Sequence, residues 1–196
     1  MHRIIHRVNT VEALTKVTKN FGVEVDIRSK GKRLIMHHDP FKEGENFTDW
    51  LNYFNHGTLI LNVKEEGLEE VLIDIMASKD IKNYFFLDQS FPFLIKTANS
   101  GERRCAVRIS EFESINTVMT LAGKVDWVWV DCFSKFPLSK VDATRLQQEG
   151  KFKLCFVSPE LQGRKDKNEV KEFRNKIYSQ GIIGEAVCTK YPDLWA

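Results

Sequence analysis

The 196-residue sequence is poor in several features that would fix a function at once. Its four cysteines, at 105, 132, 155 and 188, lie inside apolar runs about one βα unit apart, with neither C-x-x-C spacing nor the density of a disulfide scaffold. They read as buried reduced thiols, which favours a cytoplasmic location. Long hydrophobic runs are missing too. Stretches such as Trp127 to Val130 fall far below the roughly 18–20 residues of a spanning helix, and Met1 to His6 turns polar before a secretory segment could form. Charge of one sign is not in excess. With 29 Lys and Arg against 27 Asp and Glu, the net charge of +2 gives no global field toward nucleic acid or an anionic membrane, so any anion must be held locally. Nucleic acid is therefore an unlikely partner. Glycine is absent from His6-Arg7-Val8-Asn9-Thr10, where a dinucleotide-binding first turn would need it, and neither a P-loop nor a G-x-S-x-G elbow occurs.

What is present is alternation. Hydrophobic residues make up 42% of the chain and charged residues 29%, the balance of a soluble globular protein, and no linker or low-complexity tract divides it. One domain over 1–196 is expected. Strand-like runs occur at Arg3–His6, Val23–Arg28, Arg33–His37, Leu59–Lys64, Tyr84–Asp88, Cys105–Ile109, Trp127–Asp131, Phe152–Val157 and Ile183–Cys188. Helical spacing fills the gaps, beginning with an N-cap at Asn9, with Glu12 three residues on, and a stop at Gly22. Only four residues separate the second run from the third, too few for a crossover helix, so these two form a hairpin. Eight parallel strands and one hairpin arm fit a small (β/α)8 TIM barrel, with an open doubly wound sheet as the alternative.

A barrel collects its active site at the C-terminal ends of its strands, where polar residues interrupt apolar runs. His6-Arg7, Glu24-x-Asp26, His38-Asp39-Pro40, Asn62-x-Lys64 and Asp88 are such interruptions. Glu24 and Asp26 share one face of a strand, with Val23, Val25 and Ile27 on the other. Two carboxylates in an apolar interior repel unless a cation joins them, and oxygen donors suit a hard ion such as Mg2+ or Ca2+. The plainer alternative is a solvated face with Arg28 in an ion pair. His6 and His38 at consecutive strand ends could flank a bound group, one taking a proton and one giving it. Arg7 and Lys64 bring positive charge to the same rim, so the set describes metal-assisted phosphoryl transfer better than acyl transfer or redox chemistry. Arg108 and Asp131 could line the same mouth or pair inside it.

These residues resemble a known family. His6-Arg7, Asn9-Thr10-x-Glu12-Ala13, Gly22-Val-Glu24-Val-Asp26-Ile-Arg28, His38-Asp39-Pro40, Leu61-Asn62-Val63-Lys64, Gln89-Ser90-Phe91 and Ile183 to Asp193 look, in order, like glycerophosphodiester phosphodiesterases. That family belongs to the wider group whose barrel is like that of phosphatidylinositol-specific phospholipase C. The resemblance implies a (β/α)8 barrel that cleaves a phosphodiester, small-molecule or glycan-linked, beside a free hydroxyl, through a cyclic phosphate that water then opens. It assigns acid and base roles to His6 and His38, phosphate contact to Arg7 and Lys64, and a divalent metal to Glu24 and Asp26, with Asn62 at the third ligand position. Three departures stand out. Asn62 replaces a glutamate, Val8 replaces the glycine after His-Arg, and the long insertion after His-Asp-Pro is missing. A phospholigand-binding module, or a lyase that stops at the cyclic phosphate, is the alternative function.

Overall fold

The computed structural model describes all residues, 1–196. Ten strands form: β1 (His2–Ile5), β2 (Gly22–Lys30), β3 (Arg33–Met36), β4 (Glu45–Asn46), β5 (Leu59–Val63), β6 (Tyr84–Leu87), β7 (Ala106–Ile109), β8 (Trp127–Val130), β9 (Lys153–Val157) and β10 (Ala186–Thr189). Seven helices lie between them: α1 (Val11–Thr15), α2 (Phe47–Trp50), α3 (Glu69–Ser78), α4 (Phe91–Asn99), α5 (Ile115–Met119), α6 (Lys140–Thr144) and α7 (Lys167–Ser179). Eight of the strands run parallel in the order β6-β5-β2-β1-β10-β9-β8-β7. The sheet curls until its two edge strands meet. There the ladder is replaced by a single bridge, Phe86 with Cys105, and the Phe86 N–H donates to the Arg104 carbonyl at 2.8 Å. The fold is thus an α/β half-barrel of eight strands whose last seam carries one bridge where a closed (β/α)8 ring would carry a ladder.

The pattern of the sequence explains most of this. Val23, Val25 and Ile27 are fully buried, each contributing about 1.5–3 kcal/mol, and they fix which face of β2 turns away from the helices. The aromatic core gathers Phe47, Trp50, Phe85, Phe86 and Phe156, and Phe85 stacks on Trp127 with ring centres 4.5 Å apart. β2 and β3 form the expected antiparallel hairpin, which turns through Gly31 at φ 61° and extends beyond the sheet.

Two local expectations are corrected. The α1 cap is Thr10, whose Oγ1 accepts from Ala13 N at 3.0 Å, because the Asn9 side chain is engaged elsewhere. Gly22 does not stop that helix, which ends at Thr15. Instead it opens β2 where a Cβ would lie 2.6 Å from the Thr58 carbonyl, so glycine is required by close strand approach.

Candidate functional site

The site begins where β1 ends. His6 continues the ladder, its N–H donating to Thr189 O at 3.1 Å, and Arg7 then turns left-handed at φ 57°. That conformation costs an ordinary residue about 1–2 kcal/mol, and here it aims the Arg7 N–H at Glu24 Oε2, 2.7 Å away. Two residues on, Asn9 grips Asp26 twice: Asn9 Nδ2 donates to Asp26 Oδ2 at 2.8 Å, and Asp26 N donates to Asn9 Oδ1 at 2.9 Å. The helix-start pattern named the wrong duty for Asn9, and the family-like run Asn9-Thr10-x-Glu12-Ala13 marked its position without a role.

On β2, Glu24 and Asp26 are fully buried and share the inner face. The register sets Asp26 beside Asn62 on β5, and Asn62 Nδ2 donates to Glu24 Oε1 at 2.7 Å. Lys64, just past β5, puts Nζ 3.4 Å from Asp26 Oδ1 and 2.9 Å from Asp88 Oδ2. Arg7 Nε lies 3.7 Å from Asp26 Oδ2. Burial, then the neighbouring Asp26 charge, pushes Glu24 up to about 7 against the bonds from Asn62 and Arg7. His6 is driven the other way. Burial first, then the charges of Arg7, Lys190 and Lys64, lower it to about 3, so its imidazole is neutral at physiological pH. Its Nε2 stands 3.8 Å from Glu24 Oε2, beyond hydrogen-bond reach, and its Nδ1 is buried with no partner.

The hairpin brings up the second histidine. His38 Nδ1 bonds to Asp39 Oδ1 at 2.8 Å, a contact that holds the Asp39 carboxyl below its ordinary value. His37 is occupied with its own loop, its Nδ1 accepting from Asp39 N at 2.9 Å. Arg28 is not in the ion pair that the plainer reading gave it. Its Nε and Nη2 donate to the His38 carbonyl at 3.2 and 2.9 Å, and its Nη1 donates to the Lys64 carbonyl at 3.1 Å. One guanidinium therefore ties the His38 loop to the end of β5, a role visible only once the hairpin folds back.

His6, Arg7, Glu24, His38, Asn62 and Lys64 all line one cavity of about 210 Å3 at the C-terminal strand ends. Asp26 is the member of the expected set that does not line it, since Asn9, Arg7 and Lys64 stand over its oxygens. The far wall comes from β6 to β9: Asp88, Arg108, Trp129, Asp131 and Gln162. Arg108 binds Asp88 and lies 3.9 Å from Asp131 Oδ2, while Gln162 Nε2 donates to Asp131 Oδ1 at 2.6 Å. Burial works to raise Asp88, but Lys64 and Arg108 outweigh it and hold the carboxyl down.

Does the donor set suit a divalent ion? No group of three or more His, Cys, Asp or Glu side chains is gathered anywhere as a cage, because the third oxygen here is an amide. Yet Asp26 Oδ1 and Asn62 Oδ1, on registered neighbouring strands, are both buried without a hydrogen-bond partner. The orphan Asn62 oxygen, and an Asp26 oxygen met only by Lys64 Nζ at 3.4 Å, stand with the raised Glu24 as the kind of hard donors that Mg2+ or Ca2+ takes. The residues fit the ion.

No family model matches this chain, and no curated protein matches it in sequence. Solved structures do match in fold. A glycerophosphodiester phosphodiesterase from Agrobacterium tumefaciens superposes with a TM-score of 0.65 at 11% identity, covering 100% of this chain and 99% of that one. A glycerophosphoryl diester phosphodiesterase from Parabacteroides distasonis gives the same TM-score of 0.65 at 10% identity, over 98% of this chain and 84% of that one. At these identities the likeness is one of fold. No helix is long and apolar enough to cross a membrane.

Proposed function

We propose that the chain is a single-domain, barrel-type phosphodiesterase that hydrolyses a small phosphodiester through His6 and His38. The observation that carries this reading is the convergence of two imidazoles, two cations and Glu24 with Asn62 on one small cavity, in a fold shared with two phosphodiesterases. A phosphate entering it meets Arg7 and Lys64, which offset its charge and the further charge that develops during attack. His6 is neutral and so has a lone pair to take the proton from the attacking hydroxyl of the substrate or from water, and an anionic phosphate that offsets Arg7 and Lys64 would restore part of its lowered basicity. His38, at the open side of the cavity and oriented by Asp39, is suited to return a proton to the departing alkoxide. Glu24, pushed up by burial and the Asp26 charge, holds a proton more readily than an ordinary carboxyl, which limits the negative charge beside the phosphate. Mg2+ or Ca2+ would be held by Glu24, Asp26 and Asn62 and, when bound, supplies Lewis-acid stabilisation of the phosphoryl oxygens. Asn62 in an acid's position supports a second reading, a module that binds phosphorylated ligands without cleaving them.

The test is turnover of bis-(p-nitrophenyl) phosphate by EDTA-stripped protein with Mg2+ or Ca2+ returned. His6→Ala and His38→Ala should each lower the restored rate by about 10^2–10^4-fold with the melting temperature nearly unchanged. A rate that survives either substitution removes that histidine from the chemistry. Binding of inorganic phosphate with no turnover under any metal condition selects the binding module.

A further inference from the structure

β10 ends beside His6 and hands the chain to Lys190. Ile5 registers with Thr189 on one side and with Val23 on the other, so the next residue, His6, stands between Lys190 and Glu24. His6 N donates to Thr189 O at 3.1 Å, which carries that register to the strand end. Side chains alternate across a sheet, so Lys190 shares the inner face with Cys188, His6 and Glu24. Its main chain is clamped there. The Glu160 carboxylate, 5% exposed, accepts from Lys190 N at 2.8 Å and from Thr189 Oγ1 at 2.6 Å, and Tyr191 N donates to Thr189 Oγ1 at 2.9 Å. Ser158 Oγ donates to the other Glu160 oxygen and accepts from Trp195 Nε1 at 2.9 Å. Charge-assisted bonds of this kind are short and directional, so they fix where the Lys190 side chain starts.

The ammonium at the end of that side chain is spare. Of the lysines and arginines whose charge bears on His6, Arg7 is met by Asp26 and Lys64 by Asp26 and Asp88, while Lys190 is exposed and pairs with no carboxylate. Lys190 does not wall the small cavity, so a phosphate held there by Arg7 and Lys64 leaves it free. Charge also differs around the mouth. β1 and β10 lie in the middle of the eight-strand order, and β6 and β7, at its two ends, lie across the mouth from them. A groove on that far side carries Glu65, Glu66, Glu69 and Glu113. An anionic ester arm is repelled there and drawn toward Lys190.

Resting on the phosphodiesterase reading of the small cavity, we propose that Lys190 is a specificity-determining residue that binds an anionic group on one ester arm of the substrate. The substrate is then a phosphodiester with a second negative charge, carried by the arm that leaves the cavity over β1 and β10. A single ammonium on a flexible stem selects charge and not shape, so a carboxylate and a phosphoryl group both satisfy it.

The experiment compares kcat/KM for p-nitrophenyl phosphodiesters whose second arm is 2-carboxyethyl, 2-phosphoethyl or the neutral 2-carbamoylethyl, in the wild type, Lys190→Gln, Lys190→Glu and Lys167→Gln. Lys167 is the charge control, because its Nζ lies 5.0 Å over the ring of Tyr191, the residue after Lys190. In the wild type the better anionic ester should exceed the neutral one by about fivefold, the upper end of what one exposed ion pair supplies, and it identifies the group. Lys190→Gln should bring that ratio to about one, mainly through KM, and Lys190→Glu should invert it, while Lys167→Gln should keep it. No anionic preference in the wild type, or one that Lys190→Gln retains or Lys167→Gln equally removes, overturns the proposal while the phosphodiesterase reading stands. If no ester is cleaved, that reading falls, and calorimetric titration with 3-phosphonopropionate and propylphosphonate decides the Lys190 site separately. Tighter binding of 3-phosphonopropionate that Lys190→Gln abolishes supports the site, and equal binding, or none, overturns it.

Discussion

The mouth of the sheet has two halves built from the same residue types to opposite ends. From β1 through β5, Glu24 is buried beside Asp26 with no cation in contact, Asn62 Oδ1 and His6 Nδ1 have no partner, and Asp26 Oδ1 is met only by Lys64 Nζ at 3.4 Å. From β6 through β9, Asp88 is held down by Lys64 and Arg108, while Asp131 accepts from Gln162 and the Cys132 N–H and is still pushed up by burial. Unsatisfied buried polar atoms cost about 1–3 kcal/mol each; on the β6 to β9 side they are Tyr84 Oη, Gln89 Oε1, Ser90 Oγ and Arg164 Nε, none of them on the strand-end carboxylates. On the function proposed above, the unbalanced half is where the reacting groups of a substrate belong. The balanced half holds the strand ends in place.

Matched substitutions on the two sides test this division most severely. Glu24→Gln with Asp26→Asn should lower phosphodiester turnover by about 10^2–10^3-fold or more, while raising stability by about 1–2 kcal/mol, since neutral isosteres remove a buried repulsion. Urea unfolding at pH 7 measures the second effect. A loss of stability would mean that the carboxylates are structural and the contrast between the halves is false.

Asp131→Ala should do the reverse. Asp131 is 2% exposed, and its Oδ1 accepts from Cys132 N at 2.9 Å as well as from Gln162, so truncation leaves two donors without their partner and Arg108 with Asp88 alone. About 2–3 kcal/mol of stability should go, with turnover changed only a few-fold. If instead activity collapses and stability holds, the far wall belongs to the chemistry and the boundary must be redrawn.

The division also separates what the sequence disclosed from what it hid. Polar residues that break apolar runs stand out in one dimension, so Glu24, Asp26, Asn62 and Lys64 could be named with their strands, and the hairpin followed from a four-residue gap. The two-residue β4 carries no period to read, and it exists because Ile35 and Met36 pair with Asn46 and Glu45. Asn9, Arg28 and Gln162 act through contacts 10 to 36 residues away in sequence, and their partners are carbonyls or side chains that composition does not reveal. The single-bridge seam is likewise a matter of how β6 and β7 approach, since each alone reads as an ordinary strand. Of the seven residues expected to line the site, the one that sits behind it, Asp26, is covered by neighbours whose reach depends on a left-handed turn at Arg7.

The smallest effect should come from Glu111, which follows β7 and holds the next loop. Its Oε1 accepts from Ser134 N at 2.6 Å, Ser134 Oγ at 2.8 Å and Lys135 N at 2.7 Å, and its Oε2 accepts from Phe133 N at 3.2 Å. Burial works to raise this carboxyl, but the loop N–H groups overcome it and bring it down to about 2 from 4.5. Because the folded value is depressed, the stabilisation is complete above about pH 4.5 and drains away as pH falls toward 2. Solvent screening reduces its worth to about 1 kcal/mol, or roughly 2–4 °C in a chain of this size. Glu111→Gln should therefore melt a few degrees below the wild type at pH 7, and urea unfolding at stepped pH should show the gap closing between 4.5 and 2. A gap that persists unchanged at the acid end would show that the Glu111 charge contributes nothing, and that loop geometry alone ties β8 to the balanced half of the mouth.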